Sequence, residues 1–265
     1  MKYFGFLARF IVIPLAALTF IAWRDKKRGK TLPEAFQGVA PDAVLAGMAA
    51  VAVAYTTPWD NYLVATKVWW YDPKLVTGLV FGWVPIEEYT FFVLQTLLTG
   101  SWMLFLARHL PTHEQAPKHP MLIRVGVTAA LALIWIRAVM AFLRGGTSRT
   151  YMSITLAWAL IPIMIQTLFG GDILWQHRRL LALGIIPTTL YLGAADSLAI
   201  EGGTWTISPE KSVNFKIGGK LPFEEGLFFF LTNTLISMGV TLVLAKESQR
   251  RAPRWLLNLL RLKTH

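Results

Sequence analysis

The chain contains no cysteine. That absence excludes disulfides, thiolate nucleophiles and cysteine-based metal centres, and it removes the usual clue to redox compartment. Charge is scarce as well. Asp, Glu, Lys and Arg make up 15% of the 265 residues, 54% are hydrophobic, and the mean hydropathy is +0.47. A water-soluble domain carries more charge than this. No Gly-x-Gly-x-x-Gly turn follows a strand, so a flavin- or NAD-dependent enzyme is not expected. Nor is there an Asp-rich motif of the kind that holds magnesium diphosphate, which argues against a prenyl-transferring membrane enzyme.

What the chain has instead is a series of apolar runs of membrane-crossing length. They predict an all-α polytopic membrane protein of about seven transmembrane helices: Tyr3 to Trp23, Ala43 to Thr57, Pro85 to Ala107, Leu122 to Leu143, Tyr151 to Phe169, Leu180 to Ala195 and Pro222 to Ala245. A loop is expected from Pro58 to Trp83. No small-residue cleavage site follows the first run, so it is expected to be retained. The net charge of +11 reads as basic loops beside anionic lipid rather than as a nucleic-acid surface, because the basic residues sit in short clusters between apolar runs. The larger set includes Arg24 to Lys30, Arg108, Arg124, Arg178, Arg179 and the tail from Lys246. Placing it in the cytoplasm puts the C-terminus inside the cell membrane and the N-terminus outside. The stretch Trp255 to Arg261 reads as a short interfacial helix. Arg9, and Arg137 inside the fourth run, read as snorkelling cations, with Arg137 also a candidate partner for an acid. His109, His113 and His119 read as solvated loop residues.

Two stretches resemble each other. Val84-Pro85-Ile86-Glu87-Glu88-Tyr89-Thr90-Phe91-Phe92 is matched by Leu221-Pro222-Phe223-Glu224-Glu225-Gly226-Leu227-Phe228-Phe229. The match extends upstream: Asp60 stands as far before Trp69 as Asp196 does before Trp205, and Trp69 as far before Pro73 as Trp205 before Pro209. This predicts two tandem units of three helices, 1–107 and 151–245, joined by a connector helix in 108–150 and followed by a basic tail, 246–265. An odd connector lets both units cross the membrane in the same sense, with a site between them.

Each proline suits a helix start, and each acid pair suits the positive end of a helix dipole, so capping alone accounts for one copy. Duplication together with aromatic residues goes beyond what capping needs, most clearly for Glu87 and Glu224; Glu88 and Glu225 divide more evenly between the two readings. Six carboxylates (Glu87, Glu88, Glu224, Glu225 and the supporting Asp60 and Asp196) are expected at one membrane face, where ionisable groups are costly and usually functional. Around them stand Trp59, Trp69, Tyr89, Phe91, Phe92, Trp205, Phe228 and Phe229. Helical spacing puts Phe91 and Gln95 on the face of Glu87, and Phe92 and Thr96 on the face of Glu88. Gln95 and Asn233 read as polar support that bridges helices. For any single tryptophan, membership of the interfacial aromatic belt is the simpler reading. Acid with aromatic walls is the inventory for protonating an alkene. A carboxylic acid supplies the proton, ring faces stabilise the carbocation, and a second carboxylate removes a proton at the end.

The run Pro58-Trp59-Asp60-Asn61-Tyr62, the cluster Trp69-Trp70-Tyr71 and the first acid motif through Leu98 resemble the membrane-integral lycopene cyclase domain of microbial carotenoid pathways, in the form that fuses two small subunits. The resemblance covers about 57–243. It implies redox-neutral cyclisation of the linear ψ-ends of lycopene to β-ionone rings without a cofactor, with the motif glutamates carried onto Glu87, Glu88, Glu224 and Glu225. It also implies a lipophilic carotenoid partner, a lipid setting, and association with other enzymes of that pathway. The second unit departs from the first: Ala195 precedes Asp196, and Ile207 stands where Tyr71 would. A carotenoid hydratase would use the same acid, and a non-enzymatic carotenoid carrier would share the apolar walls.

Overall fold

The computed structural model describes residues 1–110, 115–145 and 147–253. Helices dominate: α1 (Tyr3–Lys27), α2 (Pro41–Ala65), α3 (Ile86–His109), α4 (Pro120–Leu143), α5 (Thr150–Gln176), α6 (Arg178–Glu201), α7 (Phe223–Leu244) and a short α8 (Lys246–Arg251). Six of them, all but α2 and α8, are long and apolar enough to cross a membrane. α2 has the length, but Thr56, Thr57, Asp60 and Asn61 make its last turns polar. That end corrects one expectation. The segment from Pro58 to Ala65 is helix rather than loop, with Pro58 inside it, so Asp60 sits within a helix. The tail helix expected from Trp255 to Arg261, and His113, lie outside the described residues.

Prolines inside the helices show how an apolar chain keeps its backbone satisfied. A proline at position i leaves the carbonyl at i−4 without its helical donor, which is costly away from water. Pro14 does this to Phe10, and the Tyr191 hydroxyl donates to that carbonyl at 2.9 Å. Pro162 does it to Trp158, served by the Tyr55 hydroxyl at 2.9 Å. Pro187 does it to Leu183, served by the Trp102 indole N–H at 2.9 Å. Each donor comes from a different helix, so every substitute bond also fixes two helices against each other. In α1, one π turn, Ala8–Val12, precedes Pro14.

α7 is the most enclosed helix and packs against α2, α3, α5 and α6. α4 lies outside, packed mainly on α5, and among its residues only Ala138 is buried. Small hairpins introduce the two acid-bearing helices: β2 (Val80–Phe81) with β3 (Val84–Pro85) leads into α3, and β5 (Lys216–Ile217) with β6 (Leu221–Pro222) leads into α7. The first hairpin turns at Gly82, whose φ is +70°. Asn61 Oδ1 lies 2.1 Å from where a Cβ would stand there, and it accepts from the Trp83 N–H at 2.8 Å. Only glycine meets both demands.

Across the mouth, β1 (Trp69–Tyr71) pairs antiparallel with β4 (Trp205–Ile207). The register sets Trp69 opposite Ile207 and Tyr71 opposite Trp205, so positions matched in sequence cross over about Trp70 and Thr206. One ion pair, Lys220 with Glu201 at 2.9 Å, lies beside the second hairpin, and three lie at the opposite end: Asp25 with Arg108 at 3.4 Å, Glu34 with Lys246 at 2.9 Å and Asp172 with Arg251 at 2.7 Å. His109 belongs to that end as well. It closes α3 and approaches Asp25 at 3.6 Å, which replaces the solvated-loop reading.

Candidate active site

Pro85 and Pro222 are extended residues one position ahead of α3 and α7, and the acids behind them fill both first turns. Adjacent helical residues point about 100° apart, so the two members of each pair meet different surroundings. Glu87 is 1% exposed; its Oε1 accepts the backbone N–H of Thr77 at 2.6 Å. Glu224 is 0% exposed; its Oε1 accepts the backbone N–H of Val213 at 2.7 Å. Both tie down the loop that precedes their own helix.

The second members face inward together. Glu88, Glu225 and Asp196 line one small cavity of about 40 Å³. Its walls are Tyr3, Trp59, Trp69, Tyr71, Phe91, Tyr151, Trp205, Ile207, Phe228 and Phe229. The Glu88 Oε2 accepts hydrogen bonds from the Tyr3 hydroxyl at 2.5 Å and the Tyr71 hydroxyl at 3.0 Å. Among the described residues its Oε1 has no hydrogen-bond partner. The Glu225 Oε1 accepts from the Tyr151 hydroxyl at 2.7 Å. Asp196 Oδ1 accepts the Trp205 indole N–H at 3.1 Å, and its Oδ2 is buried without a partner among the described residues. Asp60 is buried beside Trp59, and both its oxygens lack partners among the described residues. No ion pair reaches any of these six carboxylates among the described residues. Tyr71, outside the spanning helices, is pushed well above the ordinary phenol range by burial and then by the neighbouring Asp60 and Glu88 carboxylates. It therefore stays a donor.

The aromatic wall is continuous. Trp59 stacks on Phe228 at 5.6 Å and 4° and on Trp158 at 4.4 Å and 18°, and it meets Trp69 edge-on at 5.5 Å. Tyr3 packs against Trp205 at 4.9 Å. Such ring faces sit where a developing positive charge gains from them.

Of the residues singled out from sequence, Glu88, Glu225, Asp196, Trp59, Trp69, Phe91, Trp205, Phe228 and Phe229 come together on this cavity. Phe91 shares it with Glu88 through i,i+3 spacing rather than with Glu87. Phe92 instead lines a neighbouring crevice beside Gln95 and Thr96. Tyr89 reaches the first hairpin, donating to the Phe81 carbonyl at 2.9 Å and accepting from Asn61 at 3.0 Å. Gln95 donates to Thr232 at 2.9 Å, while Asn233 accepts from Thr99 at 2.8 Å and donates to Thr189 at 3.3 Å, so both bridge helices. Arg137 is exposed on α4, away from the cavity.

Tyr3 and Tyr151 were not singled out, and both donate to a cavity glutamate. Tyr3 stands at the head of α1 and Tyr151 at the head of α5, positions that only a helix-by-helix comparison of the chain brings together.

Comparison with known proteins supplies independent findings. The chain matches the family model described as "Lycopene cyclase" over residues 7–106 and 148–244. It is 40% identical over 193 residues to a lycopene beta-cyclase of Halobacterium salinarum, covering 73% of this chain and 78% of that one. It is 32% identical over 200 residues to a bifunctional lycopene cyclase/phytoene synthase of Podospora anserina, covering 72% of this chain and 33% of the relative. It is 34% identical over 192 residues to one from Blakeslea trispora, covering 70% and 31%. The chain thus spans about a third of these bifunctional relatives. No solved structure matches it.

Proposed function

The chain belongs to the lycopene cyclase family, an enzyme of lycopene cyclisation in carotenoid biosynthesis, and we propose that Glu88 and Glu225 exchange protons with the substrate. One carboxyl group gives its proton to the terminal alkene of a ψ-end, leaving a tertiary carbocation. The next alkene of the end group attacks that carbon, closes the ring and moves the charge to a ring carbon. The partner carboxylate then takes a ring proton, and a double bond forms in its place. One proton enters and one leaves, so the product is an isomer and no redox partner takes part. A carboxyl and a carboxylate suit the two proton transfers, and Trp59, Trp69, Trp205, Phe91, Phe228 and Phe229 face the intermediate charge.

One observation carries this reading: Glu88 and Glu225 enter a single ring-walled cavity from the first turns of two different helices. Tyr3 and Tyr71 orient Glu88, and Tyr151 orients Glu225. Glu87 and Glu224 act as positioning residues through the loops they hold. Asp196 and the adjacent Asp60 support the pair. The cavity has room for a few waters, so the end group enters only when side chains move aside.

We read the architecture as two three-helix units, 1–107 and 151–245, with α4 as the connector and α2 as a seventh span. Matched tyrosine–glutamate bonds, matched loop-tying glutamates and the crossed β1–β4 register support it. The basic ion-paired end supports a cytoplasmic C-terminus.

Expression in cells that make lycopene tests the function. Cyclic carotenoid in the wild type, lost in Glu88→Gln and Glu225→Gln with the protein still inserted, is the expected result. Hydroxylated product would mean a hydratase. Unchanged lycopene in the wild type would leave only a carrier.

A further inference from the structure

The acid cavity holds about 40 Å³, yet a linear carotenoid continues far beyond the end group that reacts. The rest of the chain must lie in space contiguous with that cavity. Other large spaces lie among the described residues. The largest, about 980 Å³, lies against Lys26, Lys30 and Arg108 and shares no lining residue with the cavity. A groove of about 570 Å³ between α6, α7 and the second hairpin shares none either, and Lys220 stands in its wall. The third is a crevice of about 160 Å³ between α2, α3, α5 and α7, and Phe228 lines both it and the acid cavity.

We infer that this crevice receives the conjugated polyene of the substrate while the ψ-end occupies the acid cavity; the inference rests on the cyclisation reading of Glu88 and Glu225. Among the described residues, no charged side chain lines the crevice. Two of its polar side chains donate to protein, Gln95 to Thr232 and Gln166 to the Leu235 carbonyl at 3.1 Å, while the Gln166 Oε1 is buried without a partner among the described residues. The partition from the cavity consists of flat rings rather than backbone. Phe228 is parallel to Trp59 and lies 6.4 Å from Trp158 at 19°. A rotamer change at Phe228 joins the two spaces without moving a helix. Aromatic faces in near-parallel array suit a flat conjugated chain. On the outer side, Val51 is 62% exposed and Tyr55 is 37% exposed, so the crevice opens on the surface that the bilayer covers. Substrate enters sideways from the lipid, end first.

The test compares two substrates with the same ψ-end: lycopene, and a short polyene lacking most of the chain. Binding energy from the remote chain shows as the ratio of their kcat/KM values. Ala52→Trp fills the crevice, and Ala52→Leu fills it partly. Ala194→Trp fills the unconnected groove as a control. The ratio should fall severalfold in Ala52→Trp and less in Ala52→Leu, with the short substrate still cyclised, and should hold in Ala194→Trp. An unchanged ratio in the Ala52 variants, an equal fall in Ala194→Trp, or loss of both substrates in both Ala52 variants overturns the assignment. Glu88→Gln run alongside separates the two ideas. If it still closes rings on both substrates, the acid-cavity reading fails; if it is inactive while the Ala52 ratio holds, only the crevice fails.

Discussion

Tyr55 and Trp158 hold each other twice. The Tyr55 hydroxyl donates to the Trp158 carbonyl at 2.9 Å, the Trp158 indole N–H donates back to the Tyr55 carbonyl at 3.4 Å, and the rings stack at 5.6 Å. The first of these bonds stands in for the N–H that Pro162 lacks. Tyr55→Phe should therefore cost about 1–2 kcal/mol of stability. Adding Pro162→Ala returns the backbone donor and should recover most of the loss. Thermal unfolding of the four combinations in detergent checks this, and strictly additive losses would show that the proline carbonyl is not what Tyr55 serves.

The two acids of each motif should separate in assay. Glu88→Gln and Glu225→Gln remove the exchangeable proton at the cavity and should abolish ring closure. Glu87→Gln and Glu224→Gln keep an oxygen able to accept from Thr77 or Val213, so they should retain part of the activity and lower the melting temperature instead. Product yield per inserted protein measures both. Full activity in Glu88→Gln and Glu225→Gln, with none in Glu87→Gln and Glu224→Gln, would reverse the assignment.

Removing one phenol hydroxyl from Glu88 should slow the chemistry without ending it. Tyr3→Phe and Tyr71→Phe each delete a hydrogen bond to an ionisable group, a loss of about 1.5–3 kcal/mol. If that loss falls on the transition state, kcat drops about ten- to hundredfold. Because both bonds meet at one oxygen, the double variant should fall short of the product of the single effects. Multiplicative losses would mean that the two hydroxyls act on separate steps.

Tyr71 also predicts an alkaline limit. Its folded-state phenol holds its proton more firmly than in the unfolded chain, because burial and the adjacent carboxylates oppose the phenolate. The contribution is fully present below the unfolded value near about 10 and is lost as pH rises above it, since the unfolded chain then binds fewer protons than the folded one. Unfolding measured between about pH 9 and about pH 11 should show a steeper loss in wild type than in Tyr71→Phe. Equal slopes would remove Tyr71 from the account.

Much of the candidate cavity's lining was legible in the sequence, and what was not has physical causes. Composition gives the spanning helices, and the doubled motif gives the carboxylates and most of the rings on the cavity. Which member of each acid pair turns inward depends on helix rotation about its axis. That rotation is decided by packing against distant helices, which local spacing does not record. A loop is expected from Pro58, yet α2 continues to Ala65. Asn61 is occupied by the Gly82 turn and Tyr89 rather than breaking the helix. Tyr3 is a lone tyrosine ahead of an apolar run, and nothing nearby in the chain announces its partner Glu88, 85 residues away. Prolines are visible in a sequence, but the hydroxyl and indole donors that complete their helices come from elsewhere.

The ladder between β1 and β4 has a consequence for how such a molecule can be encoded. It stitches the first half of the polypeptide to the second by backbone bonds, beside the acid cavity that Trp69, Tyr71, Trp205 and Ile207 line, and α7 adds its contacts to α2 and α3. Covalent continuity through α4 should then be dispensable for recognition between the two stretches. Two separately translated pieces, ending and restarting on either side of α4, should find each other in the bilayer and reconstitute pigment conversion, whereas either piece alone would present half a pocket to lipid.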